Sequence, residues 1–481
     1  MTDGRRLAGR ALIAIVLRLG SSGLAFALFV VLSRAWGPTV LGEFATVFAV
    51  FVLLQQAPLM GLHIAVMREV AADFDATVAS GRLASVAALG VVVALVLLPL
   101  VGGAGHFYPS SMRASLWLVG LSMVPTALIV AAEAVLMGRE RLTVVMATNA
   151  LESVLRVVGG VLVLVAGWGL TALWAAFLAA RLAVMVSYLA RRELRDAFRP
   201  TAIRMSCLRS WLRESPAFLG VLGLSSLISR LDFLLLSQLA TLAAVGIYGT
   251  AYKIYEVALL VPALTAVVLF PVFSRLHAAS DARLKVLATR VARLFALVGL
   301  PCALIGAFIA QPLMDMLFGS AYATSGAPAL RLLIFAPLIA AIDQLLTTLM
   351  LAAQQQRNDV RVLAITVTVY AVLLVALVPT FGVVGAAAAT LATGVVQLGV
   401  RFGMARRSLP SAPTPGLFVR PVAAAGAMAV ALTTLPTPHP VARVAVALIV
   451  YVVALVVFRA VGRADVQAAR ATFTLPQGGR A

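Results

Sequence analysis

Apolar runs of about twenty residues recur along the whole chain, and nothing else in the sequence constrains the fold as strongly. A run of that length crosses a ~30 Å hydrocarbon core as an α-helix rising ~1.5 Å per residue. Within lipid, every backbone N–H and C=O needs a partner inside the protein, so only helices and closed barrels span it. The runs here are continuous, whereas barrel strands alternate apolar and polar residues in ~10-residue segments. Of the 481 residues, 62% are hydrophobic and 12% charged, against roughly 45–50% apolar and about 25% charged in soluble domains. The sequence specifies an all-α polytopic membrane protein.

The runs predict about fourteen transmembrane helices, near 11–33, 40–62, 83–103, 114–137, 143–166, 171–190, 215–239, 245–270, 291–311, 328–351, 362–379, 386–404, 421–435 and 441–459. The run after Arg5, Arg6 and Arg10 is too long for the apolar part of a cleaved signal and reads as a retained first helix. The net charge is +20, but it falls in clusters in every second gap. The gaps 63–82, 138–142, 191–214, 271–290, 352–361 and 405–420, with the C-terminal tail, hold most of the basic residues outside the spans. That is the positive-inside pattern, which predicts cytoplasmic N- and C-termini and argues against nucleic acid as a partner. The most basic gap, 191–214, is expected to lie on anionic lipid headgroups.

Chemistry-bearing motifs are absent. Cys207 and Cys302 have no metal or redox spacing, and His63, His106, His277 and His439 are scattered. No Gly-rich nucleotide loop and no large soluble segment appears. The sequence therefore predicts no enzyme, no metal and no cofactor.

An internal repeat organises the runs. Shifted by 204 positions, FVVLSRAWGPTVLGEFATVF (29–48) overlies FLLLSQLATLAAVGIYGTAY (233–252). This pairs Ser33 with Ser237, Gly42 with Gly246, Phe44 with Tyr248, Thr46 with Thr250, Phe48 with Tyr252 and, further on, Pro58 with Pro262. Later, 167–180 overlies 380–393, matching Gly169 with Gly382, and Pro125 falls near Pro337. Six spans per copy make this a parallel repeat about an axis along the membrane normal. The expected organisation is two parallel six-helix lobes, 1–190 and 215–404, joined by the basic linker 191–214, plus a C-terminal helical hairpin and tail at 405–481. The copies diverge in charge: Phe26 stands opposite Arg230, Ala49 opposite Lys253 and Val52 opposite Glu256.

Several elements together carry a resemblance. They are LSRAWGPTVLGEFA (32–45), REVA (68–71), RLDFLLL (230–236), VGIYGTAYKIYE (245–256), LFPVFSRL (269–276), LFGSAY (317–322) and FGVVGAAAAT (381–390). In order and spacing the chain resembles the oligosaccharide/polysaccharide flippases of O-antigen translocase type, in the multidrug/oligosaccharidyl-lipid/polysaccharide exporter superfamily. The resemblance implies alternating access between two lobes in a bacterial cytoplasmic (inner) membrane. It implies a polyprenyl-pyrophosphate-linked oligosaccharide as cargo, and a glycan polymerase or glycosyltransferases as partners in cell-surface polysaccharide biosynthesis. A lipid II flippase and a cation-coupled drug or metabolite exporter remain as alternatives.

Charged residues inside apolar runs are the candidate site, since each costs at least ~2.5–3.5 kcal/mol at the bilayer centre. Arg18, Arg156, Arg181, Arg230 and Lys253 are the candidate substrate-binding cations. Guanidinium groups match phosphate oxygens bidentately and would stabilise a pyrophosphate part-way across. The competing reading is structural pairing. Glu152 and Arg156 lie at i,i+4 and Lys253 and Glu256 at i,i+3, so both pairs can form on one helix, whereas Arg230 and Asp232 are too close in sequence to face each other. Asp232, Glu256, Glu152, Asp343 and Glu133 read either as ion-coupling acids or as counter-ions. Arg331 and Arg401 lie near span ends, and Arg401 is expected to snorkel to the interface. Pro58 and Pro262, at matched positions, are candidate hinges. Trp36, Trp117, Trp168 and Trp174 are expected to be interfacial anchors.

Overall fold

The computed structural model describes residues 2–59, 61–72, 76–191, 194, 223–279, 282–434 and 440–459. Most of the 191–214 linker, Cys207, His439 and the tail beyond Arg459 lie outside these residues. The described chain is helical throughout, and eleven of its helical stretches are long and apolar enough to cross a membrane.

Among the described residues, sixteen α-helices have defined bounds. The first six are α1 (Thr2–Leu54), α2 (Leu62–Ala72), α3 (Ala76–Ala104), α4 (Ser110–Gly138), α5 (Leu142–Val165) and α6 (Leu170–Leu189). Then come α7 (Leu231–Leu239), α8 (Leu242–Ala258), α9 (Leu260–Ala278), α10 (Arg283–Phe308) and α11 (Ala310–Phe318). The remainder are α12 (Ser320–Leu333), α13 (Ala336–Ala352), α14 (Gln356–Ser408), α15 (Val419–Thr434) and α16 (Pro440–Val457). The expected span near 215–239 is described only in its second part.

Two of these helices are double length, and each is broken by a glycine. In α1 the break is at Gly37, with φ of 71°; in α14 it is at Gly382, with φ of 54°. Such backbone is inexpensive only for glycine. Both breaks fall in gaps between expected spans, 34–39 and 380–385. The second expected span differs from the structure at its end. It stops at Leu54, and Pro58 sits in a turn before α2 rather than inside a helix. Pro262 lies in the first turn of α9. At both prolines the helix is interrupted, because proline supplies no N–H to the preceding turn.

The chain divides into two compact units. One comprises residues 1–257, 314–329 and 359–393; the other 258–313, 330–358 and 394–481. In the first, α4 packs on α3 and α6, and α5 on α1 and α6. Its core centres on Leu62, Val66, Leu83, Val135 and Tyr188. In the second, α9 packs on α13 around Phe273, Leu346 and Leu349, while α15 and α16 pair and α15 rests on α10. Among the expected anchors, Trp117 and Trp168 are exposed. Trp174 is not an anchor: it is 4% exposed and packs its ring 5.5–6.0 Å from Phe44, Phe51 and Phe177. One turn into α6, its side chain faces α1 rather than the bilayer boundary.

Inside the first unit the repeat is visible as a reciprocal contact. A Cβ on Gly42 would overlap the carbonyl of Leu242, and a Cβ on Gly246 would overlap the carbonyl of Pro38. Residues 204 apart exchange roles, as they do about a local two-fold axis. The absence of side chains lets the two backbones touch, the usual device where helices associate in lipid. The matched serines behave alike: Ser33 Oγ donates to the Val30 carbonyl and Ser237 Oγ to the Leu234 carbonyl, both at 2.7 Å.

Candidate functional site

Both copies of the repeat line one cavity of about 120 Å³ within the first unit. From α1 come Phe29, Phe44 and Phe48; their counterparts Phe233 and Tyr252 come from α7 and α8. The aromatic cluster is itself repeated. Phe44 and Phe48 lie 5.8 Å apart, and Tyr248 and Tyr252 lie 5.7 Å apart. The polar lining is mostly charged: Arg156 from α5, Arg230 at the start of α7, and Lys253 and Glu256 from α8, with Ser153 beside Arg156.

Each acid at the site is shared by two cations. Glu152 accepts from Arg181 Nη1 at 2.8 and 2.9 Å through both oxygens and also bridges to Arg156. Glu256 accepts from Arg230 Nη2 at 2.8 Å on Oε1 and from Lys253 Nζ at 2.7 Å on Oε2. The pairs expected from i,i+4 and i,i+3 spacing both form. The second cation in each cluster comes from another helix. Burying a charge requires a partner, and two cations on one carboxylate leave each cluster with one positive charge in excess. The clusters differ in access. The Glu152 side chain is 6% exposed and that of Glu256 32%.

Aromatic faces hold the surplus charge. The Arg230 guanidinium lies 5.6 Å from the ring centres of Phe48 and Tyr252 and 5.9 Å from that of Phe233. Arg156 lies over Phe51 and Phe177 at 5.5 and 5.4 Å, Arg181 over Phe51 at 5.6 Å, and Lys253 Nζ over Phe29 at 5.8 Å. Each such contact contributes ~0.5–2 kcal/mol. The rings bind the cations without neutralising them, so the cavity stays able to attract an anion. The sequence reading missed these platforms, although Phe48 and Tyr252 were already matched in the repeat.

The remaining expected site residues lie elsewhere. Arg181 is buried behind Arg156 and does not line this cavity. Arg18 is exposed on α1 and outside the lining. Asp232, 1% exposed, accepts from the Tyr248 hydroxyl at 2.6 Å and from the Phe233 amide at 2.9 Å. Tyr248 continues through the Thr390 hydroxyl at 3.0 Å to Tyr370 at 2.8 Å, a hydroxyl network no sequence spacing announced. Glu133 accepts from the Tyr188 hydroxyl at 3.3 Å, which also meets Thr148 at 2.6 Å. In the second unit, Asp343 accepts from Arg401 Nη1 at 2.8 Å and Gln397 Nε2 at 2.7 Å. Arg401 is 3% exposed, so it does not snorkel; an acid on α13 holds it inside. Arg331 is exposed. Among the described residues, no group of three or more His, Cys, Asp or Glu could hold a metal ion.

Solved structures share this fold. The lipid II flippase MurJ, in an inward closed conformation, superposes with a TM-score of 0.76 at 11% identity, over 93% of this chain and 98% of that one. An inward-facing multidrug resistance MATE family transporter of the MOP superfamily gives 0.64 at 13% identity, over 83% and 99%. A MOP superfamily transporter from Pyrococcus furiosus gives 0.58 at 15% identity, over 83% and 95%. No curated protein sequence matches the chain. Residues 8–277, more than half of its length, match the family model described as "Polysaccharide biosynthesis protein", and this multi-pass membrane protein belongs to that family.

Proposed function

We propose that this protein is a flippase for a polyprenyl-diphosphate-linked oligosaccharide, carrying it from the cytoplasmic to the outer leaflet for cell-surface polysaccharide synthesis. The observation that carries this reading is the cavity in which Arg156, Arg230 and Lys253 converge on aromatic walls. A diphosphate part-way across a bilayer has lost its water and needs fixed cations in its place. Arg230 and Arg156 supply planar forks that match phosphate oxygens, and Lys253 supplies a point charge. The polyprenyl tail stays in the bilayer. The functional lobes are 1–190 and 215–404, rocking about the repeat axis, with both termini cytoplasmic and the 191–214 linker on anionic headgroups. The family match supports a role in polysaccharide synthesis.

In proteoliposomes the wild-type protein moves a fluorescent polyprenyl-diphosphate oligosaccharide between leaflets. The triple variant Arg156→Ala, Arg230→Ala, Lys253→Ala is expected to lose this while remaining in the membrane. Normal flipping by that variant would refute the cavity assignment. The likeness to MurJ over 93% of the chain favours lipid II as the second cargo to try. Rescue of a strain depleted of its lipid II flippase would decide for it.

A further inference from the structure

Among the described residues, the Glu256 carboxylate is the one acid that lines the cavity, and it sits between two of the cavity's cations. Its two oxygens take separate cations, Oε1 on Arg230 at 2.8 Å and Oε2 on Lys253 at 2.7 Å. A phosphate oxygen pair bridging those cations would need the same two positions. Glu152 has the same two-cation arrangement but a different setting. It is 6% exposed, it is absent from the cavity wall, and both its oxygens are held by Arg181. Glu256 is 32% exposed, more than Arg230 at 11% or Lys253 at 17%, so in its own cluster the acid is nearest to open space. A carboxylate that only held the cations in place would be expected behind them, as Glu152 is.

We infer that Glu256 is a tethered stand-in for the substrate's diphosphate: it fills the anion position in the empty cavity, is displaced when the head group binds, and returns to expel it. The inference rests on the diphosphate reading of the cavity. Its physical content is competition. An unopposed Arg230–Lys253 pair on aromatic platforms would hold a diphosphate too tightly to release it, because charge-assisted bonds gain strength in a low dielectric. An internal carboxylate lowers that affinity and speeds departure without any new contact to the cargo. In the first repeat copy Val52 stands at the matching position, and no cation occupies either matching site there. The acid accompanies the cations it competes for.

The test uses full-length protein in detergent, with farnesyl diphosphate as probe and calorimetric titration as readout. Glu256→Gln removes the competing charge and is expected to bind at least about tenfold tighter than wild type. The same variant in proteoliposomes is expected to flip lipid-linked oligosaccharide several-fold more slowly, since release becomes limiting. Glu256→Asp keeps the charge and should bind like wild type. Opposite movement of affinity and rate is something a merely structural acid would not produce. Should Glu256→Gln fail to fold, wild-type protein still reports, because displacing the carboxylate must shift its infrared stretching band when farnesyl diphosphate is added. Wild-type binding with equal or weaker binding by Glu256→Gln, or with no carboxylate band, overturns this inference and leaves the cavity reading standing. Failure of wild type and variant alike to bind the probe overturns both.

Discussion

The stretches 26–54 and 230–258 are copies of one scaffold that differ in charge. Their shared parts do the same work in each copy. Gly42 and Gly246 admit each other's backbone, Ser33 and Ser237 bond to the turn before them, and paired aromatics face one cavity. Only the second copy adds Arg230, Lys253 and Glu256 to that wall. The first copy contributes the rings on which those cations rest: Phe48 beneath Arg230 and Phe29 beneath Lys253. The difference teaches that the matched positions supply a symmetric frame, in which one copy carries the charge and the other gives it apolar support. A cation in lipid is tolerated where a preformed aromatic surface and an acid both await it.

The largest expected effect compares the two shared acids. Glu152→Ala leaves Arg156 and Arg181 without their carboxylate in a buried setting, and should cost ~3–5 kcal/mol. Glu256→Ala, in its more accessible cluster, leaves Arg230 and Lys253 without their carboxylate but nearer to open space, and should cost less, about 1–3 kcal/mol. Denaturation of the purified variants in detergent measures both, and equal losses would break the distinction drawn between the clusters. Next in size is the reciprocal contact. Gly42→Ala and Gly246→Ala each push a methyl into a backbone carbonyl and should cost ~1–3 kcal/mol. The two melting shifts should be similar, and a loss confined to one glycine would contradict the local two-fold relation.

Smaller effects sharpen the division of labour. Arg230→Lys keeps the charge and removes the fork, and should weaken farnesyl diphosphate binding about tenfold, ~1.4 kcal/mol. Unchanged affinity would mean that Arg230 acts as a charge alone. The smallest change is expected at Phe48→Leu, which removes one platform of Arg230 and should cost ~0.5–1 kcal/mol of the same binding. Phe48→Tyr, which keeps the ring, should restore it. Titration of both variants checks whether the first copy's role is the aromatic face or only its volume.

Much of this was legible in residues close together in the chain. The apolar runs announced a spanning bundle, the gaps at 34–39 and 380–385 announced the breaks at Gly37 and Gly382, and the repeat matched Gly42 with Gly246, though not that their backbones meet. The i,i+3 and i,i+4 rules announced Lys253 with Glu256 and Arg156 with Glu152, because one helical turn sets both ends of such a pair. Other features were not readable. Arg181 reaches Glu152 from 29 positions away, Arg230 reaches Glu256 from 26, and Arg401 reaches Asp343 from 58. Trp174 looked like an anchor because its place near a span end says nothing about which neighbour its face meets.

By itself, then, the sequence determined the helical membrane class, the duplicated scaffold, the local ion pairs and the set of charges that needed an explanation. Backbone satisfaction in lipid and one-turn geometry are properties of short stretches, and they survive without knowledge of packing. Only the tertiary structure decided which cations share an acid, which rest on rings, and which of them open onto a cavity. Those outcomes depend on how helices rotate and approach one another. In an apolar solvent that is decided by close contact at small residues and by the few polar partners within reach.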